Sequence, residues 1–345
     1  MKEKHIPQLV GISLLHSGQV IPSTAISMIA RQHWPESIIV WGGSHMSGLG
    51  KRTITADLSE RKYAADIFVT GHAERTFIEI LDDIAKSKYD CNFLGYTRFP
   101  IVLDGNRGGM VLSPFFDDLH IYDQPLTLPV QSALGCSYGK CAYCTYPAIE
   151  NTPVKLGLDK TIIKTLEVAK KWGASISVKD SLATPLRMKE IGECIKNEVK
   201  WSATTKLSKN LNEESLALLQ KNGLRTLEVG LESLLKETQI KIKKKQSQAL
   251  FETFLRNTSQ VPNLTLVINY MIGFPWEDES LALEKLEEVR VLLKDTIGTD
   301  RSMIELNSFE LERLAPMAKY PELYGISNIR SWPWASVLEY DKKVA

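Results

Sequence analysis

No apolar run in this sequence approaches the roughly 20 residues of a membrane-spanning helix. No secretory leader is expected either: the opening Met-Lys-Glu-Lys-His-Ile-Pro is charged, the apolar run at residues 9–15 is short, and no small-residue cleavage site follows it. Net charge is scarce, since 42 Lys and Arg against 41 Asp and Glu leave +1. So neutral a balance gives no electrostatic footprint for nucleic acid or an anionic membrane, and neither is expected as a partner. No internal repeat or low-complexity stretch is present. The rest is ordinary for a globular protein of the cytoplasm, with 43% apolar and 24% charged residues over 345 positions. That length suffices for one large domain and a smaller one, each with its own core.

Cysteine is sparse too, but unevenly placed. Cys136, Cys141 and Cys144 fall within nine residues, whereas Cys91 and Cys194 stand alone. An odd count argues against a disulfide framework and for metal binding or redox chemistry. Cys194, among apolar neighbours in a helical stretch, reads as a small core residue. Cys91 reads as structural.

Two architectures follow one another. Residues 1–90 alternate an apolar strand (9–15), a helix (23–32), a strand (37–41) ending in Gly42-Gly43, a strand (66–70) ending in Gly71-His72-Ala73-Glu74, and a helix (75–85). That alternation predicts a small doubly wound, Rossmann-like parallel sheet. Three strands are visible where such a sheet usually has about five, so the domain reads as truncated on its N-terminal side. Residues 91–126 read as a linker with at most one hairpin. From residue 127 the alternation resumes for six units, with strands expected at 129–134, 174–179, 200–205, 225–231, 264–272 and 303–309. Ile162, Leu166 and Ala169 recur at helical spacing, Asn212 and Gly223 mark a helix start and stop, and Leu283, Leu286, Val289 and Leu293 form a stripe after Asp278. The α/β fold expected for residues 127–325 is a partial (βα)6 barrel, with its chemistry at the C-terminal strand ends. Residues 326–345 are left as an extension.

The clustered cysteines follow the first of these strands, in Gly135-Cys136-Ser-Tyr-Gly-Lys-Cys141-Ala-Tyr143-Cys144. Three thiolates in a tight loop can ligate three irons of a [4Fe–4S] cube and leave the fourth iron open to a chelator. Zinc is the alternative, and it needs a fourth Cys or His nearby. His120, upstream of the strand, is the nearest candidate.

This loop resembles the hallmark of the radical S-adenosylmethionine superfamily, Cys-x3-Cys-x-aromatic-Cys after the first strand of a partial barrel. It departs from it by one extra residue between Cys136 and Cys141. The resemblance extends over about residues 125–325. It implies that Tyr143 packs near the adenine, that Asp180 and Ser181 hold the methionine amino group, and that Thr204 and Lys206 lie at the third strand end, with Lys206 facing the methionine carboxylate. It further implies that Glu232, before Ser233, contacts the cofactor, and that Ile272, in Asn269-Tyr-Met-Ile-Gly273-Phe-Pro275, lines the adenine site. Taken singly, Asp180 and Glu232 read equally well as strand-end carboxylates with structural partners, and Tyr143 and Ile272 as core. The run Lys241-Ile-Lys-Lys-Lys245 reads as a solvated helix face.

Residues 1–90 resemble the later half of the cobalamin-binding domain that precedes one radical S-adenosylmethionine class, through Val10-Gly-Ile-Ser13, Val40-Trp-Gly42-Gly-Ser-His45 and Val69-Thr-Gly71-His-Ala-Glu74. The lower-ligand motif Asp-x-His-x-x-Gly is absent, and Asp118-Leu-His120 has Asp123 where Gly is needed. His45 and His72 read as turn residues. Cobalamin is thus an optional third cofactor beside the [4Fe–4S] cluster and S-adenosylmethionine. The open sheet edge suits a partner chain or a second copy.

What the resemblance implies is an enzyme that reductively cleaves S-adenosylmethionine to a 5′-deoxyadenosyl radical. That radical would modify an unactivated carbon of a peptide or natural product, by methylation if cobalamin binds. A flavodoxin or ferredoxin would serve as reductant. The competing reading is a degenerate relative that keeps the cluster and acts as a binding or partner subunit without turnover.

Overall fold

The computed structural model describes residues 6–57, 65–86, 101–105, 114–116, 118–150, 155–156 and 159–342. Cys91 lies outside them. The chain divides into two units, one of residues 1–110, 143–152 and 310–341 and the other of residues 111–142, 153–309 and 342–345.

In the first unit, short Ile- and Val-rich segments form four parallel strands in the order β1 (Leu9–Ser13), β2 (Ile38–Gly42), β3 (Ile67–Thr70) and β4 (Ile101–Asp104). Helices α1 (Val20–His33), α2 (Ser44–Asp57) and α3 (Glu74–Lys86) alternate with them. β2 and β3 are apolar throughout because both of their faces are covered. One face sets Trp41 and Phe68 against Met46, Leu49 and Ile54 of α2, and the other sets Val40, Ile67 and Val69 against Ile80 and Ile84 of α3. The expected three strands become four. β4 lies in the stretch read as a linker, and its Ile-Val-Leu-Asp run is too short to show a period. α2 also escapes the sequence reading, being rich in Ser and Gly and broken at Gly50 (φ 74°).

The second unit is built on six parallel strands. They are β5 (Thr127–Val130), β8 (Ser175–Val178), β9 (Trp201–Lys206), β10 (Leu224–Glu232), β11 (Thr265–Ile272) and β12 (Ser302–Ser308), in the spatial order β12-β11-β10-β9-β8-β5. Between β5 and β8 a two-stranded antiparallel ribbon joins β6 (Ala133–Leu134) to β7 (Lys155–Leu156). The first barrel strand is therefore shorter than the expected 129–134, because the chain leaves the sheet after Val130.

A short helix α4 (Tyr146–Glu150) groups with the first unit; α5 (Asp159–Trp172), α6 (Pro185–Ile195), α7 (Glu213–Lys221), α8 (Lys236–Lys241), α9 (Gln248–Ser259) and α10 (Glu279–Thr296) belong to the second. Ile162, Met188, Leu216, Phe251 and Val289 from these helices pack on Trp201, Leu227, Leu266 and Ile268 of the sheet, with Cys194 at the edge of that core. Asn212 caps α7 by accepting from the Ser215 N–H at 2.9 Å, and Gly223 (φ +99°) turns the chain out of it. The α10 stripe differs by one position at its start: Ala282, Val289 and Leu293 are buried, whereas Leu283 is 47% exposed.

The rest of the first unit comes from residues 310–341. It holds β13 (Leu311–Glu312), α11 (Pro316–Lys319), β14 (Ile326–Arg330) and β15 (Val337–Lys342), with sheet order β13-β15-β14. Trp334, 2% exposed, lies with ring centroids 5.9 Å from Trp41 and 5.3 Å from Phe68. The stretch read as an extension thus supplies a ring to the core of the N-terminal sheet. No described helix is long and apolar enough to cross a membrane.

Candidate functional site at the strand ends of the second unit

Side chains alternate across a strand, so the strand register sorts the six-stranded sheet into two faces. Ile176, Val178, Trp201, Ala203, Leu227, Val229, Leu266 and Ile268 point to the helices. Ser177, Ser202, Thr204, Lys206, Glu228 and Asn269 lie on the other face. Parallel sheets are ordinarily apolar on both faces. Here the second face is a polar lumen: Ser202 donates to Ser177 Oγ at 3.2 Å, Thr204 to Glu228 Oε2 at 3.0 Å, and Asn269 Nδ2 to Glu228 Oε1 at 2.6 Å.

The cysteine loop begins directly after β6. Its Gly139 N–H donates to Cys136 Sγ at 3.4 Å, its Ala142 N–H to the Ile242 carbonyl at 2.9 Å, and its Tyr138 hydroxyl to the Lys243 carbonyl. These bonds tie it to the segment after α8. Cys136 and Cys141 are half-buried and electrostatically coupled. Burial pushes the Cys141 thiol up, and Cys136 and Glu232 add to this, while Lys244 and, more weakly, Lys206 pull it down. Around Cys141 the two ammonium groups thus offset part of the cost of a sulfur anion in a half-buried place. Tyr143 and Cys144, both half-buried, begin the segment that groups with the first unit. Among the described residues no three His, Cys, Asp or Glu side chains converge as a metal-holding set. The third cysteine enters by its spacing from Cys141.

The charged run 241–245 is not a solvated helix face. α8 stops at Lys241, and Lys243 and Lys245 adopt left-handed φ of 57° each, which turns Lys244 inward. Lys244 pairs with Glu232, their side chains 8% and 9% exposed. Glu232 follows an irregularity in the β10–β11 register after Gly230 and itself has φ 68°, a conformation costly for a residue other than glycine. A Cβ on Gly230 would lie 2.6 Å from both Glu232 Oε1 and Lys244 Nζ, so the pair occupies the space that a side chain at 230 would take. At the end of β9, Lys206 lies over the Tyr138 ring at 4.6 Å. Burial first, and Lys244 second, lower its pKa. Lys206, Glu232 and the cysteine loop therefore share one neighbourhood, with Thr204 on the lumen wall.

Asp180 is placed differently from its expected role as an amino-group ligand. Its Oδ1 accepts from the Ser132 and Ala133 N–H groups at 2.6 and 2.9 Å, and its Oδ2 from the Ser132 hydroxyl at 2.5 Å. Arg187, also buried, donates to the Ser132 Oγ and carbonyl at 3.1 and 3.0 Å. This network bends the chain out of β5 and into the cysteine loop. Ser132 and Arg187 belong to no motif, which is why sequence reasoning missed them. Ser181 is half-buried just beyond Asp180. Ile272 borders a cavity of about 180 Å³ with Gly273, Glu277, Phe309 and Lys342. Burial raises the Glu277 carboxyl pKa, and a 2.7 Å bond from Thr238 opposes the shift.

In the first unit His45 is a buried helical residue rather than part of a turn. Its Nε2 lies 3.0 Å from the Trp334 carbonyl, and burial lowers its pKa. A Cβ on Gly43 would meet the Leu14 carbonyl oxygen at 2.4 Å, so this glycine serves the chain's own packing. His45 is thus engaged inside the fold and does not offer its imidazole to a corrin.

No protein-family model and no curated protein matches the sequence. Solved structures do. TsrM from Kitasatospora setae, a radical S-adenosylmethionine methyltransferase, superposes with a TM-score of 0.72 at 16% identity when bound to cobalamin and a [4Fe–4S] cluster, over 95% of this chain and 70% of its own. With tryptophan substrate and aza-SAM bound, it matches at 0.71 and 17%, over 91% of this chain and 65% of its own. The cobalamin-dependent S-adenosylmethionine radical enzyme OxsB, with aqua-cobalamin and S-adenosylmethionine, matches at 0.68 and 14%, over 98% of this chain and 56% of its own. This chain therefore spans about two-thirds of TsrM and little more than half of OxsB. The likeness is one of fold: this chain has a Rossmann-like sheet and a partial parallel barrel, as the TsrM and OxsB structures it superposes on do.

Proposed function

We propose that this chain holds a [4Fe–4S] cluster through Cys136, Cys141 and Cys144 and uses S-adenosylmethionine to modify an unactivated carbon of a peptide or small natural product. One observation carries this reading: half-buried Cys141, beside Lys206, Lys244 and a second thiol at Cys136, where the cysteine loop meets the C-terminal ends of the parallel strands β9 and β10. The donor chemistry fits: the loop's sequence spacing supplies three thiols, as cluster ligation needs, and two ammonium groups near Cys141 offset the negative charge it brings. When bound, cluster and S-adenosylmethionine supply the one-electron chemistry that opens an unactivated C–H bond.

The chain's own residues bind and orient. Lys206 offers a cation to a carboxylate, Glu232 presents its own carboxylate from the Lys244 pair, and Thr204 and Ser181 offer hydroxyls. Tyr143 and Ile272 offer apolar surface to an adenine, and Asp180 fixes the loop from behind. The N-terminal sheet, β4 included, serves as the cobalamin-binding-like domain, and the six-stranded unit, ending at residue 309, as the catalytic barrel. The cobalamin dependence of OxsB and the methyl transfer of TsrM support methylation as the finer reading. With His45 engaged in the fold, cobalamin would bind here without a ligand from that histidine, and no step is derived through it. A flavodoxin or ferredoxin is the proposed reductant.

The assignment of the cysteines is tested by anaerobic reconstitution. The expected product carries about four iron and four sulfide per chain, with absorption that bleaches on reduction. Each single Cys→Ala change at 136, 141 or 144 should cut the iron retained after desalting to well under half. Iron content unchanged in all three variants would overturn the assignment.

A further inference from the structure

We infer that the lumen recognises a protonated primary amine on the substrate, through Glu228 and Asn269; this deepens the proposed function and rests on it. Glu228 lies in the middle of β10, half-buried, on the open face. Its two hydrogen bonds, from Thr204 and from Asn269, come from neutral groups. None of the described ion pairs includes it. Lys206, on the same face, is two residues further along β9 than Thr204 and turned to the Tyr138 ring. A half-buried carboxylate with neutral donors alone is poorly compensated, and a cation arriving with a ligand completes it.

Asn269, on the neighbouring strand, supplies an independent observation. Its Nδ2 is fixed on Glu228, so its Oδ1 must face elsewhere, and that oxygen is buried with no hydrogen-bond partner among the described residues. A buried acceptor without a donor is unfavourable. An anion and an orphan acceptor on adjacent strands call for a group with positive charge, several N–H donors and no acceptor. A primary ammonium is such a group. A hydroxyl would satisfy Asn269 and leave Glu228 uncompensated, and a carboxylate would be repelled.

The test uses three probes on one skeleton: 4-phenylbutylamine, 4-phenylbutanol and 4-phenylbutyrate. Each is titrated into the cluster-loaded full chain by ligand-observed NMR. The amine should bind about tenfold or more tightly than the alcohol, and the carboxylate weakest. Glu228→Gln, nearly the same shape and still able to accept from Thr204, should erase the amine preference and leave alcohol binding unchanged. The wild-type comparison stands alone if that variant fails to fold. Equal affinities in the wild type, no amine binding at millimolar concentration, or a preference that survives Glu228→Gln would each overturn the inference. Failure of the cofactor reading shows separately, as absence of 5′-deoxyadenosine with the amine preference intact.

Discussion

Lys244→Met should destabilise the protein by about 3–5 kcal/mol, read as an earlier denaturant midpoint for the second unit. The lysine and its partner Glu232 are both nearly sealed from solvent. Attraction in such a place offsets a large desolvation cost, so removing one partner strands the other as an uncompensated charge. Methionine keeps most of the lysine's length, which isolates the charge from the packing. The double variant Lys244→Met, Glu232→Gln should recover most of the loss, because a neutral pair strands no charge. A single-variant cost under about 1 kcal/mol would be that of a solvent-screened surface pair and would contradict the buried arrangement. The same substitution should weaken iron retention, since Lys244 also counters the charge of Cys141.

Asp180→Ala should act on stability and cluster together. It strips acceptors from two N–H groups and a hydroxyl around Ser132, which is itself fully buried. Unsatisfied buried donors cost about 1–3 kcal/mol each, so a loss of roughly 3 kcal/mol or more is expected. Ser132 stands four residues before Cys136, so the loosened segment should also give up iron faster to a chelator. Asp180→Asn, which keeps one acceptor oxygen, should be milder on both counts. Lower stability with unchanged iron release would show that the brace does not reach the cysteine loop.

The sequence announces the second unit well. The βα alternation, the Asn212 cap and the Gly223 stop are set by local chemistry, and local chemistry is what a sequence displays. The polar positions of β9, β10 and β11 also alternate legibly once a strand is assumed. Other features depend on contacts between distant residues. Trp334 fills the core around Trp41 and Phe68, 293 and 266 positions away in sequence. Lys244 looks like any lysine in a charged run until two left-handed residues turn it inward. Asp180 carries the right residue type at the right strand end, yet its oxygens are taken by a backbone that leaves the sheet early, and nothing in the apolar pattern marks that departure. β4 and α2 were hidden for the opposite reason, one too short and the other too poor in helix formers to carry a period.

The most direct test is to reconstitute the cluster without oxygen, reduce it, add S-adenosylmethionine and quantify 5′-deoxyadenosine by mass spectrometry beside a Cys141→Ala control. The account predicts 5′-deoxyadenosine from the wild type and background levels from the variant. A wild-type chain with a full cluster that forms none would contradict it, and would leave the partner-subunit reading in its place.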